Sequence, residues 1–136
     1  MTIDYQVNKA ISAAQFVQVL KRSTLGERRP IDNTVCIQGM LDNSNLIVSA
    51  WAKQTLIGVA RCVTDFHYAC YLSDLAVDSH WQCKGIGKTL IEETHRALQP
   101  GCTLILLAAP KAHKYYEKRG FSRHERCWIQ PTDSPQ

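Results

Sequence analysis

The pattern of apolar and polar residues predicts a single α/β (α+β) domain over residues 1–136, with a mixed central sheet and flanking helices. Two apolar runs joined by the short polar connection Lys53-Gln54-Thr55 read as an antiparallel hairpin. The stretch from Ala69 to Ala108 reads as strand, helix, strand, a crossover that makes its two strands parallel. A chain of 136 residues, 45% hydrophobic and 21% charged, has enough apolar surface for one core and no room for a second domain.

The elements follow in order. A short strand around Ile3 to Val7 precedes a helix from about Ile11, whose Ala14, Phe16, Val17 and Leu20 share one face. TLGERRP forms a loop, and a second short helix covers Thr34 to Leu41 before the turn-prone Asp42-Asn43-Ser44-Asn45. The hairpin strands are Leu46 to Ala52 and Leu56 to Thr64, and a third strand runs from about Ala69 to Val77. After a loop from Asp78 to Gly87, the residues Ile86, Leu90, Ile91, Thr94, Ala97 and Leu98 mark the buried face of a helix that ends at Pro100-Gly101. The strand Cys102 to Ala108 is apolar throughout, as expected for one covered on both faces. Pro110 suits the first position of a further helix, Gly120 suits its left-handed stop, and Phe121 to Ile129 reads as a closing strand. The final PTDSPQ is a polar tail.

Composition excludes several classes. The net charge of +4 is mild, although Pro110 to Arg126 gathers Lys111, Lys114, Lys118, Arg119, Arg123 and Arg126 against Glu117 and Glu125. That patch suits a polyanion, or a solvated helix face. With no nucleic-acid motif beside it, a phosphorylated cofactor is the expected partner rather than nucleic acid. The longest apolar run, Leu104 to Pro110, is too short to span a membrane, so no membrane partner is expected. The start MTIDYQVNKA lacks the apolar core of a secretion signal, and the six cysteines show no C-x-x-C spacing; reduced thiols in a cytoplasmic protein are expected. The cysteine and histidine spacings match no zinc pattern, and no metal is expected.

The segment richest in chemistry is Leu75-Ala76-Val77 followed by Gln82-Cys83-Lys84-Gly85-Ile86-Gly87-Lys88, which opens directly into the third helix. Glycines at 85 and 87 let the backbone approach a ligand, and the first-turn amides point outward at the helix's positive end. A pyrophosphate fits that cradle. By itself Gly-x-Gly is equally a plain glycine turn. It is not a P-loop, which needs Gly-Lys-Ser/Thr, nor G-x-G-x-x-G, because Leu90 stands at the last position.

The remaining pattern, Q-x-x-G-x-G at Gln82, Gly85 and Gly87, resembles the coenzyme A signature of the GNAT superfamily of N-acetyltransferases. Tyr71 to Val77 before it is also similar to that family, as is Tyr115-Tyr116-Glu117-Lys118-Arg119-Gly120-Phe121 after the next βα unit. Together they cover roughly Tyr71 to Phe121, inside a motif-bearing core of about 69–129. The resemblance implies a GNAT fold whose βαβ unit binds acetyl-CoA, with direct acetyl transfer to a primary amine of a small molecule or peptide. It further implies that backbone groups of Leu75, Ala76 and Val77 pair with the pantetheine arm and acetyl carbonyl. In the same way Gln82 and the run Cys83, Lys84, Gly85, Ile86, Gly87 and Lys88 would hold the pyrophosphate, and Tyr116 would protonate the departing sulfur. The alternative is a non-catalytic acyl-CoA-binding sensor or regulatory module. The sequence is compatible with a homodimer.

Asp74 interrupts an apolar strand where aspartate is disfavoured, so it is a candidate to orient or deprotonate the amine, or else it bridges a neighbouring strand. Tyr71 and Ser73 lie on the opposite pleat face, and a local bulge would exchange the faces. Some family members place a glutamate near the following strand and an asparagine ahead of the tyrosine. Here Leu104 and Ala109 stand in those regions, so proton removal falls to Asp74, to water, or to a histidine such as His113, one turn before Tyr116. Arg28 and Arg29 follow the first helix, where this fold places acceptor-binding loops; with Tyr71 they are candidates to bind the acceptor, paired arginines suiting a carboxylate or phosphate on it.

Overall fold

The computed structural model describes residues 2–133. Its elements are β1 (Asp4–Val7), α1 (Ala13–Arg22), a 3-10 turn (Leu25–Arg28), α2 (Thr34–Asp42), β2 (Leu46–Ala52), β3 (Thr55–Thr64), β4 (Ala69–Val77), α3 (Ile86–Arg96), β5 (Thr103–Ile105) and α4 (His113–Lys118), with a short 3-10 turn at Ser79–Trp81. The strands form one sheet in the order β1-β2-β3-β4-β5, antiparallel up to β4 and parallel between β4 and β5. The mixed sheet of the sequence reading is therefore present.

Local chemistry sets the helix starts. Ser12 and Gln15 form a capping box, in which Ser12 Oγ accepts from the Gln15 amide at 3.1 Å and Gln15 Oε1 accepts from the Ser12 amide at 3.0 Å. That box starts α1 at Ala13 rather than Ile11. Asn33 Oδ1 caps α2 by accepting from the Cys36 amide. α1 buries Phe16, Val19 and Leu20, while Ala14, expected inside, is exposed.

Two apolar layers sandwich the sheet. On one face Leu46, Val48, Ala50, Ala60, Cys62 and Leu72 meet Ile86 and Leu90 of α3. On the other Ile47, Trp51, Val59 and Ala76 meet Phe16, Val19 and Leu20 of α1 and Ile37 of α2. α3 approaches β3 so closely that a Cβ placed on Gly58 would lie 3.2 Å from both Ile86 Cγ2 and Leu90 Cδ1. This contact fixes the height of α3 above the sheet, and with it the position of its N-terminus.

Four expectations are corrected toward the C-terminus. β5 covers only Thr103–Ile105, with both end residues exposed, instead of a doubly covered strand from Cys102 to Ala108. It pairs with β4 over Ala69↔Thr103, Cys70↔Leu104 and Tyr71↔Ile105, and beyond that the strands part. Phe121 to Ile129 contains no strand; the Cys127 amide donates to the His124 carbonyl and the Arg126 amide to His124 Nδ1, a local turn that competes with a ladder. Alternation alone supplies a face but no partner, and Trp128 stays 89% exposed. Pro110 sits in a turn closed by Ala112 N–H to Ala109 O at 2.8 Å, so α4 begins at His113 and is shorter than expected. Likewise α3 stops at Arg96, ahead of Pro100-Gly101. Among the described residues no helix is long and apolar enough to cross a membrane.

Candidate active site

The site begins with an irregularity in β4. Arg61 pairs with Asp74 and Cys62 with Leu72, which leaves Ser73 as an extra, bulged residue. Before the bulge Cys70 and Leu72 face α3; after it Leu75 and Val77 do, and Asp74 and Ala76 turn toward α1. Because β5 ends its ladder at Tyr71, the stretch from Leu72 to Val77 borders an open wedge rather than a strand. Backbone groups are thereby freed for a ligand. Two of the carbonyls accept from side chains, Ser73 O from Arg29 at 2.8 Å and Val77 O from Gln82 Nε2 at 3.0 Å.

The wedge leads to the N-terminus of α3. Gly85 is its N-cap in the left-handed conformation, φ 80°, and no side chain caps the first turn. Cys83 is also left-handed, φ 62°, so the chain from 83 to 85 curls tightly before the helix. Uncapped first-turn amides form an anion site by geometry and dipole, and the exposed Lys84 and Lys88 flank it. All ten cofactor candidates from Leu75 to Lys88 thus lie along one path from wedge to helix start.

The motif after β5 acquires a physical meaning in α4. Gly120, φ 90°, follows the C-cap Arg119; its amide donates to Glu117 O at 3.1 Å, and the Phe121 amide donates to Tyr116 O at 3.0 Å. These two bonds make a Schellman stop, and its usual apolar clasp is the edge-on contact of Tyr116 and Phe121, ring centroids 5.4 Å apart. The Tyr-Glu-Lys-Arg-Gly-Phe string therefore holds the Tyr116 ring in place. Burial pushes the Tyr116 phenol up to about 12, with Tyr115 adding to the rise and Arg29 opposing it. Tyr115 projects elsewhere: a Cβ built on Gly87 would collide with Tyr115 Oη, so this hydroxyl lies over the first turn of α3. Arg119 stacks on the Tyr115 ring, 5.4 Å from its centroid.

Beside the bulge opens a cavity of about 490 Å³. The Leu25–Arg29 segment forms one wall, Tyr71 and Ser73 another, and Leu107 to Ala109 the floor. The three acceptor candidates Arg28, Arg29 and Tyr71 are brought together here. A second cavity of about 450 Å³, lined by Tyr116 and His113, shares Leu107 and Ala108 with the first.

Asp74 has a different setting from the one expected of a base. It is fully buried, and its two oxygens accept from Arg29 Nε and Arg61 Nε. Arg61 also donates to Ser44 Oγ at 2.9 Å and Ser73 Oγ at 2.7 Å. A fully buried carboxylate held by two guanidinium groups is shielded from an amine in the cavity, so the bridging alternative matches this geometry. Arg61 escaped the sequence reading, although an arginine inside the apolar run Thr55 to Thr64 was the signal that could have found it. The place of Tyr115 over α3 had no signal in the sequence.

A family model described as an acetyltransferase (GNAT) domain matches residues 43–123. The chain belongs to the GNAT acetyltransferase family. An N-acetyltransferase of the ycf52-like type from Prochlorococcus marinus is 30% identical over 120 residues, 82% of this chain and 65% of the relative, so this GNAT chain spans less than two thirds of that relative's length. Among solved structures, a GNAT-family acetyltransferase of Streptococcus pneumoniae superposes with TM-score 0.75 at 20% identity, covering 95% of this chain and 98% of that one. The aminoglycoside N-acetyltransferase AAC(6')-Iy in complex with CoA superposes with TM-score 0.73 at 18% identity, covering 98% and 96%. These neighbours share the GNAT fold, including a mixed sheet with flanking helices.

Proposed function

We propose that this GNAT chain is an acyltransferase that moves the acetyl group of acetyl-CoA directly to a primary amine of a small molecule or peptide. The observation that carries the reading is the uncapped, glycine-initiated N-terminus of α3 opening onto the wedge between β4 and β5. The residues fit the donor: amides of the first turn and Lys84 and Lys88 suit a pyrophosphate, and the edge of Leu75 to Val77 that β5 leaves unpaired suits an amide-bearing arm. Acetyl-CoA, when bound, supplies an activated thioester.

The chain's own residues then have separable tasks. The neutral acceptor amine forms a C–N bond as the thioester C–S bond breaks, giving an N-acetyl product and CoA thiol. Tyr116 Oη is the proton donor for the leaving sulfur, and its raised pKa keeps that proton in place at neutral pH. Asp74 is assigned no proton transfer; it holds Arg29 against the acceptor cavity. The amine's proton leaves to water in the open cavity or to His113.

The test is mass spectrometry of an amine panel incubated with acetyl-CoA and protein, beside calorimetry of acetyl-CoA binding. Acetylated product with stoichiometric thiol release is the expected result. Binding without product over the whole panel would favour the acyl-CoA-binding module instead.

A further inference from the structure

The cavity between the Leu25–Arg29 segment and β4 narrows the acceptor class, an inference that rests on the acetyl-transfer reading. Its charges are few and placed. Arg28 lines the cavity, and among the described residues no side-chain or backbone acceptor bonds to its guanidinium, whereas Glu27 is the carboxylate that lines it from the same segment. Arg29 is committed through Nε to Asp74, through Nη1 to Arg28 O and through Nη2 to Ser73 O. Of five guanidinium N–H donors, two therefore remain for a ligand. Arg61, behind it, shares the same buried carboxylate. With Arg28, Arg29 and Arg61 against Glu27 and Asp74, the site keeps a net positive charge, and its free donors are guanidinium forks.

A polycationic acceptor would meet repulsion there, and a fork matches the paired oxygens of a carboxylate or phosphate. The geometry points to an acceptor that carries an oxyanion, carboxylate or phosphate, beside its reactive primary amine, with Arg28 as the residue that binds that anion and Arg29 supplying further donors. A volume of about 490 Å³ suits a small molecule of this kind. The anion lies against the Arg28 wall, and the amine is directed along Leu107 and Ala108 toward the cavity that contains Tyr116.

Matched acceptors test this. L-Methionine is compared with L-methioninamide, O-phosphoethanolamine with ethanolamine, and spermidine serves as the polycation, with rates expressed per neutral amine. The anionic member of at least one pair should be favoured about 10- to 100-fold in kcat/KM, the range of hydrogen bonds to a charged group, mainly through KM. The two pairs separate carboxylate from phosphate. Arg28→Gln should collapse the ratio and Arg28→Lys restore part of it. Preference for spermidine or the uncharged members, or a ratio unmoved by Arg28→Gln in a protein of unchanged circular dichroism, would overturn the inference while leaving acetyl transfer standing. If the protein acetylates other amines of the wider panel and none of these anionic ones, the acceptor class falls alone; if it binds acetyl-CoA and acetylates no amine of the whole panel, the transferase reading falls and the acceptor class with it.

Discussion

The proton on Tyr116 Oη is the chemical detail most open to direct test. Tyr116→Phe removes the hydroxyl and keeps the Phe121 clasp, so turnover should fall about 10²- to 10⁴-fold with acetyl-CoA affinity little changed. Tyr115→Phe should act the other way, raising KM for acetyl-CoA by a few-fold, because its hydroxyl sits over Gly87. Steady-state kinetics on both variants distinguishes the two; reversal of the effects would sink the assignment. The raised phenol pKa has a definite sign. Since the useful form is the protonated one, activity should climb as the acceptor amine loses its proton and show no descending limb from Tyr116 until pH approaches about 12. Asp74→Asn leaves Arg61 buried beside a neutral group, and loss of one partner from a buried ion cluster costs about 3–5 kcal/mol, readable by urea denaturation. Stability equal to that of the unaltered chain would argue against the enclosed carboxylate described above.

At the scale of elements, the cofactor loop and the last helix make separate predictions. Gly85 has open space around it but a left-handed φ of 80°, so Gly85→Val introduces backbone strain where the amides must stay aligned. Acetyl-CoA affinity should drop at least tenfold by calorimetry, with the circular dichroism spectrum preserved. Gly120→Ala strains the Schellman stop by about 1–2 kcal/mol, and turnover should fall more than thermal stability because Tyr116 loses its clasp. Both glycine loops were legible from sequence, since Gly85 and Gly120 each stand where a helix must start or stop. The shortening of β5 and the absence of a strand after Phe121 were not legible. Apolar alternation reports which side of a strand is dry, and the missing quantity was a neighbour with free ladder groups.

For the molecule as a whole, the hairpin and the crossover followed from hydrophobic period, and the family motifs marked the path proposed for the donor. The cavity proposed for the acceptor was legible only as a pair of arginines; that one of them is tied to a buried aspartate depends on a contact across 45 residues of sequence. One tight contact couples the core to the site. Gly58→Val would drive side-chain atoms into Ile86 and Leu90, costing about 1–3 kcal/mol by overpacking, and should weaken acetyl-CoA binding through displacement of α3. A Gly58→Val protein with wild-type stability and affinity would mean that α3 floats above the sheet rather than resting on it.

The bulge at Ser73 behaves like a dislocation in a crystal. Were it to migrate one residue along β4 toward Val77, Asp74 would become the extra residue and leave its place opposite Arg61, and Ser73 would take that place. Each further step would invert another residue. What pins the defect is the arginine pair, one gripping the Ser73 carbonyl and the other its hydroxyl, with the carboxylate between them. Variants that weaken the pin, Ser73→Ala or Asp74→Asn, should broaden the amide NMR resonances of Leu72 to Ala76 as the dislocation samples neighbouring positions.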